Sequence, residues 1–531
     1  MLPIEWTDEW TDEWTEESER TVPNAGDPHA GRPLARHPSQ RPARRRSIRH
    51  GLGSTVVAML AAVVPATIAA ADDASLLRRL NEPFGRVSEG NKSWRPLFEA
   101  IAKVTEPPMP VGRDFNQTTV WPGMGDWEAV SEWAKANTAL GTAILEVQDR
   151  LILGLPYGRS AVPSELAEAG LATDISVTPE NRTTAFPYLD GIDLMSTWIA
   201  AEMYRLAEAG SFDEAFTLGI AGLKVLRQVA DRQMFAEKRF AMERMCEALS
   251  VQRDMFWRYL DKIPATTYQR LGTKEYPFLR PTDNERLKRL EMPEGDRLVA
   301  EAMLGLGFDD NGQPIDERFE EIFAEIQSSE KPLTRFGAAK RWRAIAAVHG
   351  SLDASKERLE DIYDDWWRRW RMRQYDPMQD LDTELSRTNE IRYAAVVLSI
   401  LDIQSLFPLR NRLIAEINGT VLSAGLCGYD RSFGVWPDLP AKYYAVFAPK
   451  RFDFDPYDKT YGDFVYSYLG SDRKPIDTPW GRVWATGCVL YALGDDHTDD
   501  GFTDHDPTGE TGDFVLWPPT RALARDEGLL N

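Results

Sequence analysis

The chain has 531 residues, and 62 Lys and Arg against 83 Asp and Glu leave a formal net charge of −21. At 43% hydrophobic and 11% aromatic it can fill two to three domain-sized cores, which excludes a disordered chain. The acid excess argues against a nucleic-acid or anionic-membrane partner, and three cysteines exclude a disulfide scaffold.

Residues 1–71 carry nine acids and eight bases, so the excess belongs to residues 72–531. Residues 1–46 read as a disordered leader. It opens on EWTDEWTDEWTEE, with Trp6, Trp10 and Trp14 on one helical stripe, and continues through a Pro- and Arg-rich stretch. The opening repeat is either a small recognition helix or sequence ahead of a downstream start, and the second is preferred. Residues 47–71 then read as a signal peptide: basic residues precede the apolar run Thr55 to Ala71, which closes on Ala69-Ala70-Ala71. Pro65 interrupts the run, which favours cleavage after Ala71 over a retained membrane anchor. Export to the periplasm or cell envelope is the expected address, with the membrane touched only through an uncleaved signal.

Residues 72–386 have helical periodicity and are expected to form the main, helical domain. Apolar positions at spacings of three and four predict helices within 126–152, 193–230, 236–262, 316–328, 333–349 and 354–374. Within 193–230, Gly210 suits a left-handed cap, and Ser211 with Glu214 forms an S-x-x-E capping box, together predicting an antiparallel helical hairpin. DDNG at 309–312 imitates a calcium loop, but the first and twelfth positions would be Gly307 and Arg318, so it reads as a turn. His349 closes a predicted helix, where a cation would suit the carbonyl end.

Trp366, Trp367 and Trp370 stand among Arg368, Arg369, Arg371 and Arg373, a composition that a stacking platform would share. However, Leu359, Tyr363, Trp366 and Trp370 fall on one helical face, so core packing is the expected reading. No H-E-x-x-H, G-x-S-x-G, C-x-x-C or Gly-rich phosphate loop occurs, and after residue 71 the only histidines are His349, His497 and His505. A Ser-His-Asp hydrolase and a His-rich zinc site are therefore not expected, while a carboxylate-based glycosidase stays open.

Residues 387–531 change character and are expected to form a small α+β lobe. An apolar helix over 390–406 precedes three strand-like runs: KYYAVFA (442–448), DFVYSYL (463–469) and GRVWATGCVLYAL (481–493). Cys427 and Cys488 could pair within this lobe, although buried thiols are the commoner outcome. An acidic loop comes next, with Asp495, Asp496, Asp499, Asp500, Asp504, Asp506, Glu510 and Asp513, and no Lys or Arg between Arg482 and Arg521. Such a loop is either solvated or bridged by a hard cation, and calcium is the ion that takes six to eight flexible oxygens. It is not an EF-hand, since Thr498 replaces a carboxylate and Pro507 stands at the twelfth position.

The order TPWG (478–481), LYALGDD (490–496) and GDFVLW (512–517) resembles the globular end of type II secretion major pseudopilins. Those proteins read D-P-W-G, then Y-S-L-G-A-D-G, then D-I and an aromatic. The whole chain resembles more closely uncharacterised exported bacterial proteins with helical bodies and a similar ending. The resemblance spans residues 390–517 and implies a pseudopilin-like lobe whose loop holds calcium. Asp496 and Asp513 match the family's calcium aspartates, Leu493 offers its carbonyl, and Asp499 and Asp500 are candidates by proximity. Filament assembly is not implied, because the apolar segment lies far upstream as a cleavable signal, and Thr478 separates Asp477 from Pro479.

The expectation is a non-catalytic exported protein that binds an unidentified protein partner in the envelope, with calcium bracing its C-terminal loop. The alternative is a secreted glycan hydrolase using paired carboxylates in a Trp-lined cleft of the helical domain.

Overall fold

A computed structural model describes residues 69–109, 114–276, 290–372, 376–444, 446–460 and 462–530. The expected leader and nearly all of the expected signal lie outside these residues. The expected cleavage point after Ala71 falls in the first turn of α1 (Ala69–Gly85).

The body is built from helices that bury one stripe each. Helices α2 (Trp127–Ala136) and α3 (Thr138–Val147) divide the stretch predicted over 126–152, breaking at Asn137. The predicted hairpin is present as α4 (Tyr188–Glu208) and α5 (Phe212–Ala230), joined through Gly210 at φ +83°. Ser211 stands at the cap position of α5, but its side chain makes no capping bond, so that expectation is corrected. Helix α6 (Phe235–Arg258) packs against both arms and forms the spine. Beyond it lie α7 (Gly295–Leu306), a helical run over 316–330 that ends in α8 (Ala324–Glu330), α9 (Ala338–Ala346) and α10 (Leu352–Arg371). DDNG forms a turn: Asp309 Oδ1 accepts the N–H groups of Asn311 and Gln313 at 2.9 and 2.8 Å.

His349 corrects the cation expected there. It is buried, accepts the Ala395 N–H on Nε2 at 3.2 Å, and burial lowers its pKa, so it is a neutral acceptor behind α9.

The C-terminal region carries the only sheet of more than two strands among the described residues, β3-β4-β5, antiparallel throughout; β1 (Asp174–Val177) and β2 (Arg182–Ala185) make a separate hairpin in the body. Strands β3 (Val465–Thr478) and β4 (Gly481–Ala492) turn through Pro479 and Trp480. Strand β5 (Phe514–Trp517) pairs with the end of β4 through Ala492 and Phe514. The acidic loop is therefore the connection between two neighbouring antiparallel strands.

The expected helix over 390–406 is displaced. A short helix, Ala394–Ser399, is followed by the long α11 (Leu406–Phe433). Pro408 sits in the first turn of α11, the one place where a helix tolerates it, and forbids a continuous helix running in from 394. KYYAVFA does not form a strand either. It lies along α11, where a Cβ at Gly425 would stand 2.9 Å from Tyr443 and Ala448, and one at Gly428 2.5 Å from Phe447. Side chains seated in a small-residue groove replace strand pairing.

Helix α11 also crosses α6, so the expected boundary at 386/387 lies within one unit that runs from Pro65 to Asn531. Arg253 of α6 pairs with Glu416 of α11 at 2.5 Å and donates to Thr420 Oγ1 at 2.6 Å. The terminal helix α12 (Thr520–Asp526) closes the joint, with Arg521 and Arg525 both on buried Asp254 at 2.6 and 3.1 Å. Cys246, Cys427 and Cys488 are buried free thiols, which settles the open pairing of the last two.

Candidate functional site

The acidic loop folds back on itself through its own backbone. Asp495 N–H donates to Gly509 O at 2.7 Å, and Asp513 N–H to Asp504 O at 2.9 Å. Gly494, at φ +73°, makes the close approach possible, since a Cβ there would stand 2.3 Å from Gly512 O. His497 and Phe502 also take left-handed backbone, at φ 59° and 56°.

Three of the aspartates are used as local acceptors. Asp496 accepts Thr498 N–H on one oxygen at 3.0 Å and Gly512 N–H on the other at 2.8 Å. Asp506 takes Thr508 N–H at 2.9 Å and Thr511 N–H at 2.7 Å. Asp499 Oδ1 accepts Tyr491 O–H and Gly501 N–H, both at 2.9 Å. These side chains are staples for the turns they sit in.

Asp513 differs. It is fully buried, its Oδ2 accepts Phe502 N–H at 2.6 Å, and its Oδ1 has no hydrogen-bond partner. Burial pushes its pKa up to about 7; the charges of Asp499 and Asp500 push the same way, while N–H bonds from Phe502 and Asp500 offset part. The loop thus brings Asp499, Asp500 and Asp513 within electrostatic reach of one another. Asp496 is tied to the same place through Gly512. Asp495, raised to about 6 mainly by burial, stands under the repulsion of Glu510, Asp496 and Asp506.

Leu493 is held from outside the loop: its N–H donates to Asp455 Oδ2 at 3.0 Å. Sequence reasoning missed this cradle. Asp455 is buried, its other oxygen accepts Tyr457 N–H at 2.8 Å, and burial raises its pKa to about 7. Asp453 is raised to about 7 by burial and the charge of Asp463, and it accepts the Tyr444 hydroxyl and, at 3.0 Å, Phe464 N–H. His497 contacts Tyr457 O at 2.8 Å. The run Asp453-x-Asp455-x-x-Asp458 is the signal that could have found it. Its spacing is that of a ligand or turn motif, but between two strand-like runs it passes for plain loop.

His505 stands behind Asp513, with Nε2 2.9 Å from Thr520 Oγ1 and Nδ1 accepting Val515 N–H at 3.3 Å. Burial lowers its pKa to about 4, so it is neutral, enclosed and fully occupied, which suits a structural acceptor better than a proton shuttle.

Among the described residues, no group of three or more His, Cys, Asp or Glu side chains stands at metal-ligand spacing. Asp513 Oδ1 is the one carboxylate oxygen of the loop that is buried without a partner, and in that respect the donor set fits a hard cation.

The tryptophan cluster offers no cleft. Trp366 and Trp370 are buried, with Trp370 Nε1 donating to Leu290 O at 2.8 Å. Only Trp367, 37% exposed, reaches the surface, and the Arg371 guanidinium covers its ring at 3.7 Å. A cavity of about 350 Å³ in the body, bordered by Ile101, Leu171, Pro187, Asp190 and Leu194, presents a single carboxylate. No helix among the described residues is long and apolar enough to cross a membrane.

Compared with known protein families, with curated proteins and with solved structures, the chain matches none.

Proposed function

We propose that the chain is an exported, non-catalytic envelope protein whose C-terminal loop is braced by calcium and whose helical body meets a protein partner. The reading is carried by Asp513, a buried carboxylate with one oxygen unpartnered and two further aspartates, Asp499 and Asp500, acting on it. Calcium would be held by Asp513 with Asp499 and Asp500, and the Leu493 carbonyl and Asp496 would complete it. The ion would supply counter-charge and a cross-link between the two ends of the β4–β5 connection. A long helix, antiparallel strands and an aspartate-rich connection support the likeness of this lobe to the pseudopilin globular end.

Thermal unfolding of the purified chain in calcium and in EGTA is the test. A ligand that binds only the folded state stabilises it by about 2.7 kcal/mol at a hundredfold excess over Kd. Coincident melting curves would remove the ion from the proposal.

A further inference from the structure

A second surface lies in the body, on the stretch from Lys331 to Leu352. In a chain of net charge −21 these residues include Lys331, Arg335, Lys340, Arg341 and Arg343 and no Asp or Glu. The same stretch carries the two most exposed large apolar side chains among the described residues, Leu333 at 89% and Phe336 at 88%. Pro332–Arg335 form a 3₁₀ turn that holds Leu333, and Phe336 is the residue that follows it.

The turn is built, not loose. Gln327 O accepts Lys331 N–H at 2.9 Å and the Thr334 hydroxyl at 3.3 Å. Gln327 Oε1 accepts from Arg341 at 3.0 Å and from Trp342 Nε1 at 3.2 Å. Helix α9 then turns Ala338, Trp342 and Ala346 inward and leaves Lys340, Arg341, Arg343 and Val348 outside. Of the cations, Arg343 pairs with Glu320, whereas Lys331, Arg335 and Lys340 form no ion pair among the described residues.

We propose that this turn and helix dock on an anionic lipid bilayer, with Leu333 and Phe336 entering the interface and the surrounding cations meeting phosphate groups. Two highly exposed apolar side chains beside cations suit a soft apolar phase with an anionic surface, which a bilayer supplies. A nucleic-acid backbone would use the cations but leave Leu333 and Phe336 in water. The net charge does not forbid contact, because exposed charges beyond about 8–10 Å are screened at physiological salt. Whole-chain charge arithmetic excludes an anionic membrane only by averaging over this stretch. The proposal stands apart from the calcium reading.

The test uses the full chain in EGTA, with an environment-sensitive fluorophore on Leu333→Cys; the three native thiols are buried. Leu439→Cys, also on an exposed residue, is the control position. Vesicles of phosphatidylglycerol and phosphatidylcholine are expected to shift the 333 probe to the blue, and pure phosphatidylcholine is not. The control probe should stay unmoved. Changing Lys331, Arg335 and Lys340 together to Gln should weaken partitioning on the order of a hundredfold, at roughly fivefold per charge. No shift, an equal shift at position 439, or a shift produced by polyglutamate or duplex DNA without lipid would each overturn the proposal.

Discussion

Two buried carboxylates, Glu237 in the body and Asp513 in the acidic loop, are treated in opposite ways. Both are fully buried. Glu237 accepts Tyr188 O–H at 2.7 Å and Arg232 Nε at 2.6 Å on one oxygen, and Tyr157 O–H at 2.6 Å on the other. Arg232 lies over the Tyr157 ring at 4.2 Å and donates to Leu155 O at 2.6 Å. Asp513 accepts Phe502 N–H, has no cation partner among the described residues, and has other aspartates acting on it. A buried charge costs several kcal/mol unless it is paired and hydrogen-bonded. The body meets that requirement from its own sequence. The loop offers Asp513 no cation among the described residues, and under the proposed function calcium would supply it.

The largest expected effect tests the self-sufficient side. Glu237→Ala strands Arg232 and two tyrosine hydroxyls in a dry interior, and removing one partner of a buried pair costs about 3–5 kcal/mol. Urea denaturation should show it as a lower midpoint at unchanged slope. A loss below about 1 kcal/mol would mean that the network is not what satisfies the carboxylate, and the contrast would fail.

Asp513→Asn should behave the other way round. In EGTA at pH 8 it removes an unfavourable buried charge, so the variant should melt no lower than the parent chain. In calcium it should lose the stabilisation that the parent gains. A variant that melts lower in EGTA and still responds to calcium would show that Asp513 is a structural acceptor and no ligand.

The pH dependence has its origin in the same carboxylates. Asp453, Asp455 and Asp513 have folded-state pKa values raised from 3.8 to about 7, chiefly by burial. The folded chain therefore holds protons that the unfolded chain has released. Their contribution favours the fold below about pH 4 and is lost as pH rises through about 7. In EGTA the chain should melt at higher temperature at pH 5 than at pH 8, and calcium should narrow that difference at the alkaline end. A melting temperature that climbs from pH 5 to pH 8 in EGTA would contradict the burial of these groups.

The elements legible in the sequence were those in which one physical signal dominated. Leu359, Tyr363, Trp366 and Trp370 predicted a buried stripe, and the stripe is buried, with Trp367 left outside. Gly210 marked the turn of the α4–α5 hairpin because only left-handed backbone closes it. Strands β3 and β4 were legible through their β-branched and aromatic runs, with Pro479 and Trp480 at the turn between them. Strand-like composition deceived at 442–448, where the partner is a groove on α11 rather than a strand, and no local pattern reports a distant glycine. The helix start at Leu406 turned on Pro408, a signal visible in the sequence but outweighed by the apolar run before it. In the site, composition located the acidic loop. It could not separate Asp496, whose oxygens are taken by N–H groups, from Asp513, whose Oδ1 is not. The Asp455 cradle depends on contacts across the lobe, which spacing alone does not carry.

That last distinction sets the smallest expected effect. Asp496 accepts Thr498 N–H and Gly512 N–H, one on each oxygen, so much of its lone-pair capacity is already committed to the turn. Asn at this position keeps one acceptor and places an amide where the other oxygen stood, loosening one staple without stripping the loop of its buried charge. Calcium titration followed by melting temperature should therefore find Asp496→Asn weakened by less than about tenfold, and Asp513→Asn without response. If the two variants lose the response equally, the ion is gripped from the Gly512 side, and Asp496 must give up its N–H partners to bind it. If Asp496→Asn alone loses it, Asp513 belongs with Glu237 as a carboxylate of the fold, and the contrast between the two regions is one of degree.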